Sequence, residues 1–392
     1  MTPITSNAQL KAFCATLAKE PFIAVDTEFM RETTYWPRLC LIQAAGAEAS
    51  GVIDPMAEGL DLAPFLELLR DETIVKVFHA ARQDVEIFNN LGAIPKPLFD
   101  SQVAAMAAGF GEQIAYDALV RQVLRVDIDK SSRFTDWARR PLSDAQLAYA
   151  LADVTHLAKI YPKLKDKLER AGRLAWVAEE MAALTDPALY DVDPENAWKR
   201  LKPRKFTARY LALFRAAAAW RERTAQARDQ PRGRIIKDEA MDEIATQAPQ
   251  DAEGLNRLRA LPKGFGGSKF APDLLEALRV AMQDPEAYAP VIERGPPPAQ
   301  NQGAVVELLK VLLKARAEDA GVAAKLIATV SDLEKIAAND EAATPALQGW
   351  RRDVFGEDAL RLKRGELALV LDGARVKVAE VAPASAVARA GI

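Results

Sequence analysis

Short apolar runs alternate with amphipathic stretches through the first half of the chain, and amphipathic stretches alone continue through the second. Phe22-Ile23-Ala24-Val25, Leu39-Cys40-Leu41-Ile42 and Gly51-Val52-Ile53 are too short for helices and read as strands. Ile74-Val75-Lys76-Val77-Phe78 adds β-branched residues at the same length. One helix starts behind Ser6-Asn7, which offers an N-cap; others cover Leu62 to Leu69 and Asp84 to Leu91. A longer one runs from Ser143, a second N-cap, to about Arg170, with Pro162 placed to kink or break it. Strands mixed with helices in this way predict an α/β domain on a central sheet.

Beyond Leu184 the strand signal fades. A basic connector, Lys199-Arg200-Leu201-Lys202-Pro203-Arg204-Lys205, leads into helix–turn–helix patterning from Thr207 to about Met282. Gly295-Pro296-Pro297-Pro298 punctuates the chain as a linker, and a second helical region follows from Ala304 to about Asp372. The expected division is a catalytic α/β domain over residues 1–195 and two small all-α domains over 206–287 and 300–375. A length of 392 residues, too great for one ordinary core, agrees with several domains.

Composition narrows the class without choosing a partner. A chain with 49% hydrophobic and 27% charged residues folds, and a formal net charge of -3 leaves room for a local basic groove. Two cysteines, Cys14 and Cys40, are too few for a disulfide framework or a Cys-rich zinc site. No secretory signal and no apolar run of about 18 residues is found, so the expectation is a cytoplasmic protein without a membrane partner. Lys263-Gly264-Phe265-Gly266-Gly267-Ser268 lacks the spacing of a nucleotide loop and reads as a turn between helices.

The chemistry rests on acids in three places. Asp26 and Glu28 end the first apolar strand, and positions i and i+2 of a strand share a face. Two carboxylates side by side repel, a cost that a bound cation relieves, and hard oxygen donors suit Mg2+ or Mn2+. Asp84 opens a helix just after the strand ending at Phe78. Tyr149 and Asp153 stand one turn apart on a single helix face, with Leu147, Ala150, Leu151 and Val154 to anchor it. Taken singly, each has an ordinary reading: a surface loop, an acid at a helix start, an amphipathic border. Taken together they are the ingredients of two-metal hydrolysis, in which carboxylates hold both ions and a further group orients water.

At this point the residues resemble a known family. Asp26-Thr27-Glu28, Asp84 and Tyr149-x-x-x-Asp153 are similar to the three motifs of the DEDDy 3′-5′ exonucleases. The flanks Phe29-Met30-Arg31-Glu32-Thr33-Thr34-Tyr35-Trp36-Pro37, Leu39 to Gln43 and Thr135 to Leu142 resemble ribonuclease D in particular. Trp220-Arg221-Glu222-Arg223 and Pro231-Arg232-Gly233-Arg234-Ile235-Ile236-Lys237-Asp238-Glu239 resemble an HRDC domain, and Gly349-Trp350-Arg351-Arg352 fits a second one more weakly. The resemblance implies a ribonuclease H-like domain with a mixed sheet followed by two HRDC-type domains. It implies that Asp26 bridges two divalent ions, that Glu28 and Asp153 complete one ion's site, that Asp84 serves the other, and that Tyr149 orients the nucleophile. The implied substrate is structured RNA with a single-stranded 3′ end, notably tRNA precursors, cut to 5′-mononucleotides; a monomer is expected.

Residues near the motifs offer an RNA surface. Phe29, Met30, Tyr35 and Trp36 follow the first motif, where an aromatic could stack on or wedge against terminal bases, and Lys130, Arg133, Arg139 and Arg140 could meet phosphates. His79 and His156 read as structural. Two alternatives stand beside this reading: the same chemistry on DNA, and a non-enzymatic RNA-binding protein.

Overall fold

A computed structural model describes residues 2–129, 132–133, 135–292 and 302–381. Lys130, named above as a phosphate contact, lies outside the described residues. Ser6 caps α1 (Asn7–Leu17) through a capping box with Gln9. Five strands follow: β1 (Phe22–Met30), β2 (Arg38–Ala45), β3 (Ser50–Ile53), β4 (Val75–Phe78) and β5 (Leu98–Asp100). They form one sheet in the order β3-β2-β1-β4-β5, antiparallel on the β2 and β3 side and parallel on the β4 and β5 side. The sheet is therefore mixed. Helices α2 (Ala63–Arg70) and α3 (Arg82–Asn90) flank β4, while α4 (Ser101–Ala107) and α5 (Tyr116–Leu124) follow β5.

Two features of this domain depart from sequence expectation. β1 does not end at the acids but runs on through Phe29 and Met30, because β2 pairs with it that far. And α6 (Asp144–Arg170) is one helix of 27 residues that continues through the exposed Pro162. It starts at a capping box of Ser143 and Gln146, and it lays Leu147, Ala150, Val154 and Leu157 against the sheet. α7 (Leu174–Leu184) closes the domain beside β5.

The helical module behind the connector is built on α8 (Ala208–Arg228), capped by Thr207. Tyr210, Leu213, Phe214, Ala217 and Trp220 bury its length against helices Glu239–Gln247 and Ala271–Ala281. Tyr35, from the loop after β1, is buried in this same core. Its hydroxyl donates to Glu222, which also pairs with Arg232, and Asp229 accepts from the backbone N–H groups of Tyr35 and Trp36 at 3.0 Å each.

The last region centres on helix Gln302–Ala320 and ends in a hairpin, β6 (Leu367–Asp372) with β7 (Arg375–Glu380), where the sequence reading carries helix as far as Asp372. It fastens to a different patch, on α7. Trp176 and Trp350 stack with ring centroids 4.2 Å apart, and the buried Arg351 pairs with Glu179 at 2.7 Å and with Glu180.

Candidate active site

β1 is the central strand, but β4 accompanies it only from Phe22 to Ala24. Beyond that point β4 has ended, and Asp26 and Glu28 project into the space where the chain turns into α3. This turn is held by Asp100 at the end of β5. Its carboxylate accepts from the N–H groups of Ala80 (3.0 Å), Ala81 (2.9 Å) and Gln102 (2.8 Å), so one side chain fixes the starts of both α3 and α4. Ala80 sits in the left-handed region at φ 58°, a conformation unfavourable for a residue with a Cβ, and the Asp100 bonds hold it there.

The folding of these elements brings Asp26, Glu28 and Asp153 together. One carboxylate oxygen from each lies within 4.8 Å of the others. Asp84, buried in the first turn of α3, stands just outside this trio and accepts a hydrogen bond of 2.5 Å from Thr27 Oγ1. Thr27 points to the opposite side of β1 from Asp26 and Glu28, so the strand grips the fourth acid with its other face. Tyr149 is half-buried beside Trp137, one turn of α6 before Asp153 and close enough to lower its carboxyl. Asp26, Glu28 and Asp153 line a cavity of about 570 Å3 with Phe29, His79, Tyr116, Arg133 and Tyr149.

Burial dominates the electrostatics. It pushes the Asp26 carboxyl up to about 7. Glu28 rises to about 9, first from burial and then from the charges of Asp26, Asp153 and Asp84, with Arg133 pulling the other way. Asp153 rises to about 8 from burial and Asp26, opposed by the Tyr149 hydrogen bond and by Arg133. Asp84 is also raised, by burial and then by Asp26. Burial, then Asp153, pushes the Tyr149 phenol well up, so its O–H stays a donor. Four crowded carboxyls, all hard oxygen donors and all short of positive charge, fit the use of divalent metal.

The remaining expected contacts divide. Phe29 and Arg133 line the cavity. Met30 packs under α6 with Cys40, Leu41 and Leu147, Arg139 is exposed, and neither lines the cavity. Trp36 turns away to the helical module, packing edge-on to Tyr35 at 4.7 Å, because Asp229 holds its backbone there. Arg140 is committed to Asp54, with two bonds of 2.7 Å, and to the carbonyls of Trp137 and Cys40. His79 bonds Ser101 Oγ at 2.9 Å and the Ile114 carbonyl at 3.1 Å, a structural arrangement in the cavity wall. Tyr116 escapes the sequence reading: its hydroxyl donates to the Asp153 carbonyl and ties α5 to the turn of α6 that carries Asp153. Its segment carries no acid motif, and only the fold brings it near.

A family model described as 3′-5′ exonuclease matches residues 1–169, and one described as HRDC domain matches residues 210–278. Fold and site thus define a 3′-5′ exonuclease carrying an HRDC domain. Ribonuclease D of Granulibacter bethesdensis is 53% identical over 379 residues, 96% of each chain, and that of Acidiphilium cryptum is 52% identical over 96% of this chain and 97% of its own. The crystal structure of Escherichia coli RNase D, an exoribonuclease involved in structured RNA processing, matches with a TM-score of 0.79 at 29% identity, covering 93% of this chain and 99% of that one. This chain belongs to the ribonuclease D family and is a 3′-5′ exoribonuclease. Among the described residues no helix is long and apolar enough to cross a membrane.

Proposed function

We propose that this chain trims the 3′ ends of structured RNA such as tRNA precursors, as a monomer in the cytoplasm, and releases 5′-mononucleotides. The observation that carries the reading is the convergence of Asp26, Glu28 and Asp153 within 4.8 Å, in a cavity that also admits Tyr149. Asp26, Glu28, Asp84 and Asp153 hold two divalent ions, Mg2+ or Mn2+. When bound, these supply positive charge to the scissile phosphate and to the attacking and leaving oxygens.

The chain's own groups do the rest. Tyr149, kept protonated, orients the attacking water through its hydroxyl rather than acting as a base. Phe29 in the cavity wall stacks on the terminal base, and Arg133 faces the incoming phosphates. Thr27 fixes Asp84, and Tyr116 fixes the backbone at Asp153.

The test is product analysis on a 3′-extended tRNA with Mg2+ or Mn2+, beside a DNA oligonucleotide of matched sequence. Stepwise release of 5′-mononucleotides from the RNA is expected. Asp26→Asn and Asp153→Ala lose hydrolysis while RNA binding persists. Full activity in either variant, or in excess chelator, sinks the assignment of the acids. Turnover of DNA alone sinks the RNA assignment.

A further inference from the structure

Gln43 lies in the middle of β2 and is completely buried, yet neither its Oε1 nor its Nε2 has a hydrogen-bond partner. An amide enclosed in this way is unfavourable unless a partner arrives. Its surroundings narrow what that partner is. In the sheet Gln43 stands directly opposite Asp26 on one side and Val52 on the other. Directly opposed residues share a face, with Cβ atoms about 5 Å apart. Leu41 and Ala45, two residues away along β2, occupy the same face, and α6 covers it with Leu147 and Ala150, which cluster with Leu41 and Val52. Of the two residues directly opposite it, Asp26 alone offers a hydrogen-bonding side chain. It also belongs to the trio of acids in the cavity.

We propose that Gln43 is a positioning residue for the metal site: when a divalent cation is bound, its Nε2 donates to the Asp26 carboxylate and fixes the orientation in which Asp26 holds the ion. Outer partners of this kind orient ligands and tune affinity without touching the ion. The proposal rests on the reading of Asp26 as a ligand, and it explains why a polar amide stands between Leu41 and Ala45 on this face of β2. A filler residue at this place would be replaced by an apolar side chain of like volume without consequence for the ion.

The test is titration of the full chain with Mn2+ alone, followed by the electron paramagnetic resonance signal of the free ion. Gln43→Leu and Gln43→Met are compared with wild type, and Asp26→Asn serves as control. Both Gln43 variants are expected to bind Mn2+ roughly 10–100-fold more weakly. In excess chelator their thermal midpoints match or exceed that of the wild type, because the unpartnered amide is gone. Where one variant fails to fold, the other decides. Unchanged Mn2+ affinity overturns the proposal, as do lowered midpoints in chelator for both variants, which would assign the amide to the fold. If wild type takes up no Mn2+, or Asp26→Asn takes it up equally well, the ligand reading of Asp26 fails instead, and the two failures are distinct.

Discussion

Glu222→Ala removes the carboxylate that joins the helical module to the loop behind the catalytic strand. Only 1% of that side chain is exposed, and it receives the Tyr35 hydroxyl and both Nε (2.6 Å) and Nη2 of Arg232. Taking one partner from a buried ionic pair costs about 3–5 kcal/mol. Arg232 keeps 34% of its side chain in water, which places the cost near the lower end, about 3 kcal/mol. Tyr35→Phe deletes one hydrogen bond to a charged acceptor and leaves Arg232 in place, costing about 1.5 kcal/mol. For a cooperative unit of 150–250 residues these correspond to midpoint losses of about 6–12 °C and about 3–6 °C. Thermal unfolding by circular dichroism measures both, and the double variant measures their coupling. The pH dependence has a definite sign. Burial acts to raise the Glu222 carboxyl, but the hydrogen bonds from Arg232 and Tyr35 outweigh it and hold the group below the usual value. A depressed folded-state pKa means that the stabilisation is fully present above the unfolded-state value, about 4.3, and is lost as pH falls through the folded-state value. The gap between wild type and Glu222→Ala is therefore constant near neutrality and narrows below about pH 4. A Glu222→Ala midpoint within about 1 °C of wild type at pH 7, or a gap that widens in acid, refutes this reasoning.

Three further outcomes follow from other parts of the molecule. Tyr149→Phe lowers kcat by about 10–100-fold with little change in KM, since orientation of water matters after binding; steady-state kinetics on a short RNA would read an unchanged rate as removing Tyr149 from the reaction. Pro162→Ala, at an exposed position inside α6, restores a backbone donor and stabilises the chain by up to about 3 kcal/mol, and a lowered midpoint in denaturant unfolding contradicts the helix as described. Trp350→Ala removes the stack on Trp176 from a half-buried site, costs about 2 kcal/mol, and exposes the segment after residue 302 to limited proteolysis; unchanged protection would show that the stack does not fasten that region.

The sequence made some parts of this structure legible and hid others for physical reasons. Ser6 and Ser143 announce helix starts because a capping box is local, and both caps form. The strand under Asp26 and Glu28 reads as ending too soon because acids look like a strand end; its length is set by pairing with β2, the next strand, which reaches Met30 at Arg38. β5 has only three residues between a proline and a helix, too few for a pattern. The closing hairpin did carry a signal, Asp372-Gly373 before the alternating Arg375-Val376-Lys377-Val378, but helical text upstream overshadows it. At the site, Asp26, Glu28, Asp84, Tyr149 and Asp153 stand out as an acid pattern with familiar flanks. Tyr116, Thr27 and Gln43 do not, since each acts through a neighbour supplied by the fold. Trp36 and Arg140 looked like RNA contacts because aromatic and basic residues near a motif suggest a surface, and their partners Asp229 and Asp54 are remote in sequence.

β1 also has a mechanical side. Tyr35 and Trp36, which seat the helical module, hang from the same stretch of backbone as Asp26 and Glu28, and the far end of that stretch is clamped on both sides by β2 and β4. A displacement of the helical module is therefore passed along this backbone into the paired part of the sheet. The strand that presents two of the acids is thus a tie rod between module and catalytic domain.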